Sequence, residues 1–460
     1  MAAIPYFIIS PNTILSILGL IHGPDKTVPT PAEDWREAKV DVIIPAHNEE
    51  RNIALCLASI AKQTLRPRKI VLIDDGSNDK TAEFAKSFCE LNQMDILVIK
   101  RKASIGKTPT LKRQAREFDS DVEFVLDGDT ILESENYIER AVQELYQGVG
   151  IASACGTILP LRERDRHALV ETPFVKRFTE AHHDAPINSQ DISAFRRLQR
   201  AVTNLYRDVL YMFLQKFVYH GQMVFFGSIL HPVGCAVAYR RKYVKNLFDK
   251  YEPILGDDLT NSEDIFIGFS MVDHGYRNIQ LMDVYARSEE PEARNLPRQL
   301  YMWSSSFLQS CYYFDVLLRS PFKAFKRLRQ RRRAKKEKVD EKRRIKEAYR
   351  QAFGTEYTKK YGRALGWVFL TSAFEKISYP IVLLLMALLH WWIPLAITLA
   401  AETILALTIL TIVAKGRRFE YLLKGIAISP IRYLPILFDL VTIVRFSLDL
   451  WVFRNRVWRK

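Results

Sequence analysis

The chain has 460 residues, enough for more than one folded unit. Hydrophobic residues make up 48% and charged residues 26%, ordinary values for a globular protein, and the net charge is +15. The five cysteines, Cys56, Cys89, Cys155, Cys235 and Cys311, are scattered without a Cys-x-x-Cys pair; this argues against a disulfide framework or a zinc site and fits a reducing compartment.

Residues 1–24 contain no Lys, Arg, Asp or Glu but include Pro5 and Pro11. A signal peptide would start with a basic region and end in a small-residue cleavage site, so a short span or membrane-lying segment is expected instead. With the proline-rich linker that follows, this piece occupies residues 1–38. VDVIIPAHNEE (40–50) then reads as a strand that breaks at Pro45, with a helix opening at Asn48 and Glu49. KIVLIDDGSND (69–79) is a second strand, ending in Asp74-Asp75-Gly76; Ser77 or Asp79 can cap the next helix. DILVIK is a third, leading to Gly106-Lys107, and EFVLDGDTIL (123–132) carries a fourth. Strands alternating with helices predict an α/β fold with a doubly wound, mostly parallel sheet.

Asp75, Lys107, Asp127 and Asp129 therefore follow strand ends on one rim, where open α/β sheets bind ligands. Asp127 and Asp129 are separated only by Gly128, and two carboxylates that close require a positive neutraliser. A divalent cation, Mg2+ or Mn2+, carrying a phosphate-bearing substrate meets that need. There is no Gly-x-Gly-x-x-Gly and no Gly-x-x-x-x-Gly-Lys-Ser/Thr, so neither a dinucleotide fold nor a P-loop is supported.

Residues 323–350 hold 15 Lys/Arg against 4 Asp/Glu, and next to an apolar tail they read as a helix against anionic lipid headgroups rather than a nucleic-acid patch. Tyr379 to Ala414 carries one charge, Glu402, and is too long for one crossing. His390-Trp-Trp-Ile-Pro394 looks like an interfacial turn, so a two-helix hairpin starting near Gly366 is expected. Lys415, Arg417, Arg418 and Lys424 mark the cytoplasmic side. Gly425 to Phe453 contains Arg432, Asp439, Arg445 and Asp449, and reads as re-entrant or interfacial, with Arg445 and Asp449 spaced to pair on one helix face.

VIIPAHNEE, VLIDDGSND, Gly106-Lys107, LDGDT, HPVGCAVAYRR (231–241), NSEDIFIGFSMVDHGYR (261–277), SEEP (288–291) and RQLYMW (298–303) occur in this order. Over residues 40–310 the chain resembles the family 2 glycosyltransferases, specifically the membrane-embedded synthases of cellulose, hyaluronan and chitin type. The resemblance implies a GT-A-like nucleotide-sugar domain at 39–295, interface helices and the basic segment at 296–365, and a C-terminal α-helical membrane region at 366–460. It implies that Pro45, Ala46, His47 and Asp75 hold the nucleotide base with Glu49 nearby. By the same resemblance Lys107 approaches the nucleotide end, and Asp127 and Asp129 bind the diphosphate through the metal. Gly234 and Cys235 belong to the loop beneath the acceptor sugar.

Two acidic pairs compete for the general base. Asp264, beside Glu263, precedes Gly275-Tyr276 by 11 residues, the separation the family shows, and Asp258 precedes it by 17. Asp264 is therefore the expected base and Asp258 the second choice. The family pattern Gln-x-x-Arg-Trp is altered here: Gln299 and Trp303 are present, but Met302 replaces the arginine that helps hold the leaving diphosphate. Arg298, Arg294 or the basic segment are the expected substitutes, while Trp303 stacks on the acceptor sugar.

The expected activity is inverting, metal-dependent hexosyl transfer from a UDP- or GDP-sugar to a growing polysaccharide, with export through the enzyme's own helices and room for a partner subunit. The resemblance places the enzyme in the plasma (inner) membrane with its catalytic domain cytoplasmic. A single-sugar transfer to a lipid acceptor is the first rival. A non-catalytic scaffold on the same fold, for which Met302 speaks, is the second.

Overall fold

The computed structural model describes residues 10–22, 34–148, 150–187, 193–256, 260, 262–336 and 353–454. Among them one sheet contains β1 (Val40–Ala46), β2 (Lys69–Asp74), β3 (Ile96–Lys100), β4 (Val122–Leu126), β5 (Thr130–Leu132), β6 (Ile151–Pro160), β7 (Ala236–Arg240) and β8 (Arg277–Ser288). Their spatial order is β3-β2-β1-β4-β7-β6-β8-β5.

The apolar runs read from the sequence form the parallel half, β3-β2-β1-β4, connected by helices Ile53–Ala61, Thr81–Leu91 and Lys107–Glu117. Alternation along β1 sends Val42 and Ile44 into one apolar cluster and Ile43 into the other, so the strand is buried on both faces. Its buried Asp41 is neutralised by Arg68 at 2.6 Å. The register pairs Ala46 with Asp74 and Asp74 with Lys100, which brings the strand ends to a common rim.

Beyond β4 the sheet is mixed. β7 runs antiparallel to β4 and β6, β6 is parallel to β8, and β5 is antiparallel to β8 at the far edge. Asp127-Gly128-Asp129 is thus the link that carries the chain from the middle of the sheet to its opposite edge. The tight bend falls at Gly128, where a Cβ would lie 3.1 Å from Glu49 Cγ and 3.2 Å from Ala46 Cβ.

A long helical segment, Ala194–Phe213, continues through a π-helical turn, Leu214–Tyr219, into helix His220–Phe226. The π turn aims Gln215 at the sheet: its amide donates to the Ile158 carbonyl and accepts from the Ile158 N–H, each at 2.8 Å. Helix Pro11–His22 packs on His220–Phe226 where Gly19 meets Gly221; a Cβ on Gly19 would sit 2.8 Å from Gly221 Cα. Its 12 residues are about 18 Å long, so by itself it does not cross a bilayer.

Helices Gly366–Leu388 and Trp392–Val413 are long and apolar enough to cross a membrane, and the expected turn between them is present, with His390 at φ 55°. Arg418–Ile428 and Ile431–Val452 meet at a 63° bend and together form either a broken span or a re-entrant loop. Of the basic run, the described part is helix Ala324–Lys336, preceded by Phe322 and carrying Phe325, both exposed. The remainder of the run lies outside the described residues. All five cysteines are free.

Candidate active site

Lys107 is the hub of the rim. It opens helix Lys107–Glu117 after Gly106, whose φ of 92° a side chain would resist. Its Nζ lies 2.7 Å from Asp127 Oδ1 and 2.8 Å from Glu263 Oε1, and donates to the Gly234 carbonyl at 3.1 Å. Burial opposes its charge, but the Asp127 and Glu263 carboxylates hold its pKa well above the ordinary lysine value.

Asp75 keeps that lysine in place. Its carboxylate accepts from Ser104 Oγ at 2.7 Å, Arg101 Nη1 at 2.8 Å, and the N–H groups of Ile105 and Gly106 at 3.0 and 2.8 Å. Burial alone would raise its pKa; these donors overcome burial and hold it at about 2. The sequence assigned Asp75 to the nucleotide base, and the structure commits its side chain to the loop that delivers Lys107. His47 joins the arrangement through its Nδ1, 3.0 Å from the Asp75 carbonyl oxygen. Pro45 and Ala46 form the end of β1 beside it.

Asp127 and Asp129 share the opposite side of the rim with Glu49. Burial first, then neighbouring carboxylates, raises all three carboxyls: Glu263 and Asp264 act on Asp127, Glu49 and Asp127 on Asp129, and Glu289 and Asp127 on Glu49, which reaches about 7. Asp129 accepts from the Thr130 hydroxyl at 3.1 Å, and Asn52 donates to Glu49 at 2.8 Å and to Glu289 at 2.7 Å. Glu289 is matched by Arg200 at 2.6 Å and Arg166 at 3.3 Å, so its pKa stays low despite burial. The surplus of negative charge falls on the Asp127–Asp129 link, where Lys107 reaches one oxygen of Asp127.

That surplus is the test of a metal. Among the described residues no three His, Cys, Asp or Glu side chains are arranged to hold an ion. Two carboxylates with unrelieved repulsion do fit a hard cation that takes its other ligands from substrate phosphate and water, the ordinary habit of Mg2+.

Asp264 begins helix Glu263–His274. Its Oδ2 accepts the Gly234 N–H at 3.1 Å; its Oδ1 accepts the Ser262 hydroxyl at 2.5 Å and the Ile265 N–H at 2.8 Å. Lys107, Asp127, Asp129, Gly234, Cys235, Glu263 and Asp264 all line one cavity of about 850 Å3. Its wall continues over Gln299 and Trp303 to Glu375, Lys376, Tyr379, Glu402 and Asp439 of the C-terminal helices. Lys376 pairs with Asp439 at 2.6 Å, and Arg432 with Glu402 at 2.8 Å, so these charges are compensated in place. Pro45, Ala46, His47, Glu49 and Asp75 are outside this lining, on the β1–β2 side of the rim. Asp258 lies outside the described residues.

The replacement sought for the missing arginine is not where the sequence placed it. Arg298 is exposed and outside the cavity lining, and Arg294 is exposed and pairs with Glu292 at 3.0 Å. Arg207, from helix Ala194–Phe213, is instead fully buried against the altered motif. It donates to Gln299 Oε1, lies 4.4 Å over the Trp303 ring and pairs with Glu290 at 3.3 Å. One face of Trp303 is therefore taken by Arg207. The only sequence signal was SEEP, whose Glu290 has to find a buried cation.

Residues 41–248 match the family model Glycosyl transferase family 2. An undecaprenyl-phosphate 4-deoxy-4-formamido-L-arabinose transferase of Photorhabdus laumondii is 30% identical over 116 residues, 25% of this chain and 35% of that protein. A 4,4'-diaponeurosporenoate glycosyltransferase of Staphylococcus haemolyticus is 34% identical over 104 residues, 23% and 28% of the two chains. An N-acetylglucosaminyltransferase of Mesorhizobium japonicum is 24% identical over 300 residues, 64% and 61%. The chain spans about a third of the length of the first two relatives. Among solved structures, a mannosyltransferase of Pyrobaculum calidifontis in complex with GDP-Man and Mn2+ aligns over 96% of this chain and 99% of its own, at 15% identity and a TM-score of 0.47.

Proposed function

From the premise that residues 41–248 form a family 2 glycosyltransferase domain, we propose that the protein is a membrane-embedded, inverting glycosyltransferase. It moves a hexosyl group from a nucleotide-diphosphate sugar to an acceptor hydroxyl, and its finer task is extension of a saccharide chain at the membrane. The observation that carries this reading is the single cavity joining Asp127, Asp129, Lys107 and Asp264 to polar groups of the membrane helices.

In this reading the donor lies along the strand ends, its base toward Pro45–His47 and its diphosphate toward Asp127 and Asp129. The acceptor comes from the side of Gly234, Cys235 and Trp303. Asp264, oriented by the three donors it accepts from, takes the proton as the acceptor oxygen attacks the anomeric carbon. Attack and departure on opposite faces invert the configuration, and no enzyme nucleophile is needed. Lys107 offsets charge that grows on the leaving diphosphate. Arg207 positions Gln299 and Trp303, a role adjacent to that of the arginine Met302 has replaced. A divalent cation held by Asp127 and Asp129 would supply further charge stabilisation to the leaving group.

The polar, charge-compensated walls between the membrane helices suit a hydroxyl-rich chain, which supports coupling of extension to passage along those helices. Asp208 of the catalytic domain bonds Lys424 at 2.5 Å, tying that domain to the basic end of the membrane helices, the cytoplasmic end by the positive-inside rule. Purified protein tested with a panel of UDP- and GDP-sugars, measuring nucleoside diphosphate release and product size, decides the matter. Release that Asp264→Asn abolishes while donor binding persists is expected. Normal assembly with no release from any donor returns the protein to the scaffold reading.

A further inference from the structure

Helix Glu263–His274 carries Asp264 at one end and runs into Gly275-Tyr276 at the other, about 18 Å away along its axis. The last carbonyls of a helix have no partner within it. Here they are met by the segment that leads into helix Gly366–Leu388. The Gly354 N–H donates to the His274 carbonyl at 2.9 Å, and the Thr358 hydroxyl and Arg363 Nη2 donate to the Asp273 carbonyl, the latter at 3.4 Å. Arg363 is only 2% exposed; its Nε donates to Thr358 Oγ1 at 2.7 Å and its Nη2 to the Gly354 carbonyl at 2.9 Å. Burial lowers its pKa to about 10 against the field of Asp273, so it stays a cation at neutral pH, at the negative end of the helix dipole.

Gly275 shows how close the fit is. Its φ is 87°, and a Cβ there would lie 2.6 Å from Arg363 Nη1. The guanidinium therefore rests on the residue that ends the helix. The Arg363 carbonyl in turn accepts the N–H of Gly366 at 3.2 Å, at the start of helix Gly366–Leu388. Glu375, Lys376 and Tyr379 of that helix line the polar cavity. One arginine thus joins the helix that carries Asp264 to a helix that walls the cavity, while its own side chain is outside the cavity lining.

We infer that Arg363 is a positioning residue for sugar transfer, fixing helix Glu263–His274 along its axis and so setting where Asp264 meets the acceptor hydroxyl. Each turn of an α-helix is bonded to the next, so a displacement at one end reaches the other. At the near end the helix is seated sideways on the 231–234 loop: a Cβ on Gly268 would lie 2.3 Å from His231 Cβ. That contact sets the distance between loop and helix, and the grip at Gly275 opposes sliding past it. A shift of about 1 Å at a reacting group costs roughly a hundredfold in rate. This inference rests on the reading of Asp264 as the base and adds a group that touches neither donor nor acceptor.

The test measures kcat per folded molecule and the donor dissociation constant for the full chain in detergent. In Arg363→Ala, kcat should fall about a hundredfold with donor affinity unchanged. Guanidinium ion, added well below any unfolding concentration, should restore the rate saturably and leave the native chain unaffected. Gly234→Ala displaces the same carboxylate, so the double variant should fall far short of the roughly ten-thousandfold loss that independent effects would multiply to. A purely structural role predicts that full product. Thr358→Val removes two hydrogen bonds of the grip in a side chain of similar size, should cost about tenfold in kcat, and decides the question if Arg363→Ala does not fold. A native kcat in either variant, a matching loss of donor affinity, or full multiplication in the double variant overturns the inference. Native turnover in Asp264→Asn would instead remove the base itself; an inactive Asp264→Asn beside a fully active Arg363→Ala ends only the role given to Arg363.

Discussion

Gly234 donates its backbone N–H to Asp264 Oδ2 at 3.1 Å, and the two residues are so close that a Cβ on Gly234 would sit 2.7 Å from Asp264 Cβ. Only a hydrogen fits between them. Gly234→Ala must therefore push Asp264 aside while leaving every donor-side residue unchanged. A displacement of this kind costs roughly a hundredfold in rate. Diphosphate release under saturating donor should fall by about that factor, with the donor dissociation constant nearly unchanged. An alanine variant of normal rate would take Asp264 out of the proton-transfer role.

Lys107 is the one cation that reaches both Asp127 and Glu263 among their described ion pairs. Lys107→Met removes the cation that the half-buried Asp127 and the buried Glu263 share. Breaking a buried pair costs about 3–5 kcal/mol; the partial exposure of these groups reduces that to roughly 1–3 kcal/mol. A lower melting temperature together with weakened donor binding is expected. Lys107→Arg should recover stability better than activity, because the longer, planar guanidinium cannot meet the Gly234 carbonyl in the same geometry.

Chelation of divalent metal should stop turnover, since Asp127 and Asp129 have no second cation of their own among the described residues. Asp129→Asn should raise the metal concentration needed for half-maximal rate without altering the fold, as monitored by circular dichroism. Full turnover in chelator would assign Lys107 alone to the diphosphate and end the metal reading.

The parallel half of the sheet and its acidic rim were legible because each strand is an apolar run ending in a turn, and the period survives in the sequence. The antiparallel half was not. β5 is three residues long, and β7 runs directly into helix Arg241–Leu255 with no turn to mark its end. Arg207 was invisible for a different reason. Its helix is amphipathic, and an arginine on such a helix reads as solvated until tertiary packing supplies Glu290, Gln299 and Trp303. Asp75 shows the converse: its position at a strand end was read correctly, but its partners come from residues 101–106, and no local pattern announces them.

Asp208 ties helix Ala194–Phe213 to the C-terminal helix Arg418–Ile428. It accepts from Tyr421 at 2.9 Å, Lys424 at 2.5 Å and Arg162 at 3.0 Å, and it is buried. Asp208→Ala leaves two cations and a hydroxyl facing each other and should cost about 3–5 kcal/mol. Lys424→Met should cost less, because Arg162 still neutralises the aspartate. Thermal unfolding in detergent measures both, and equal losses would deny Asp208 its place at the centre of the contact.

Glu123, inside β4, gives a pH signature separate from catalysis. Burial raises its carboxyl to about 8, against the counteracting field of Arg241. The folded protein thus holds a proton that the unfolded chain releases near the ordinary glutamate value of about 4.3. The contribution of this group to stability is complete below that value and is lost as pH rises toward 8. The slope is at most about 1.4 kcal/mol per pH unit. Glu123→Gln keeps the shape and removes the titration, so its stability relative to the native chain should improve steadily from pH 5 to pH 8. A difference between the two proteins that stays constant over that range would mean that Glu123 is already ionised in the fold, with Arg241 rather than a proton answering its charge.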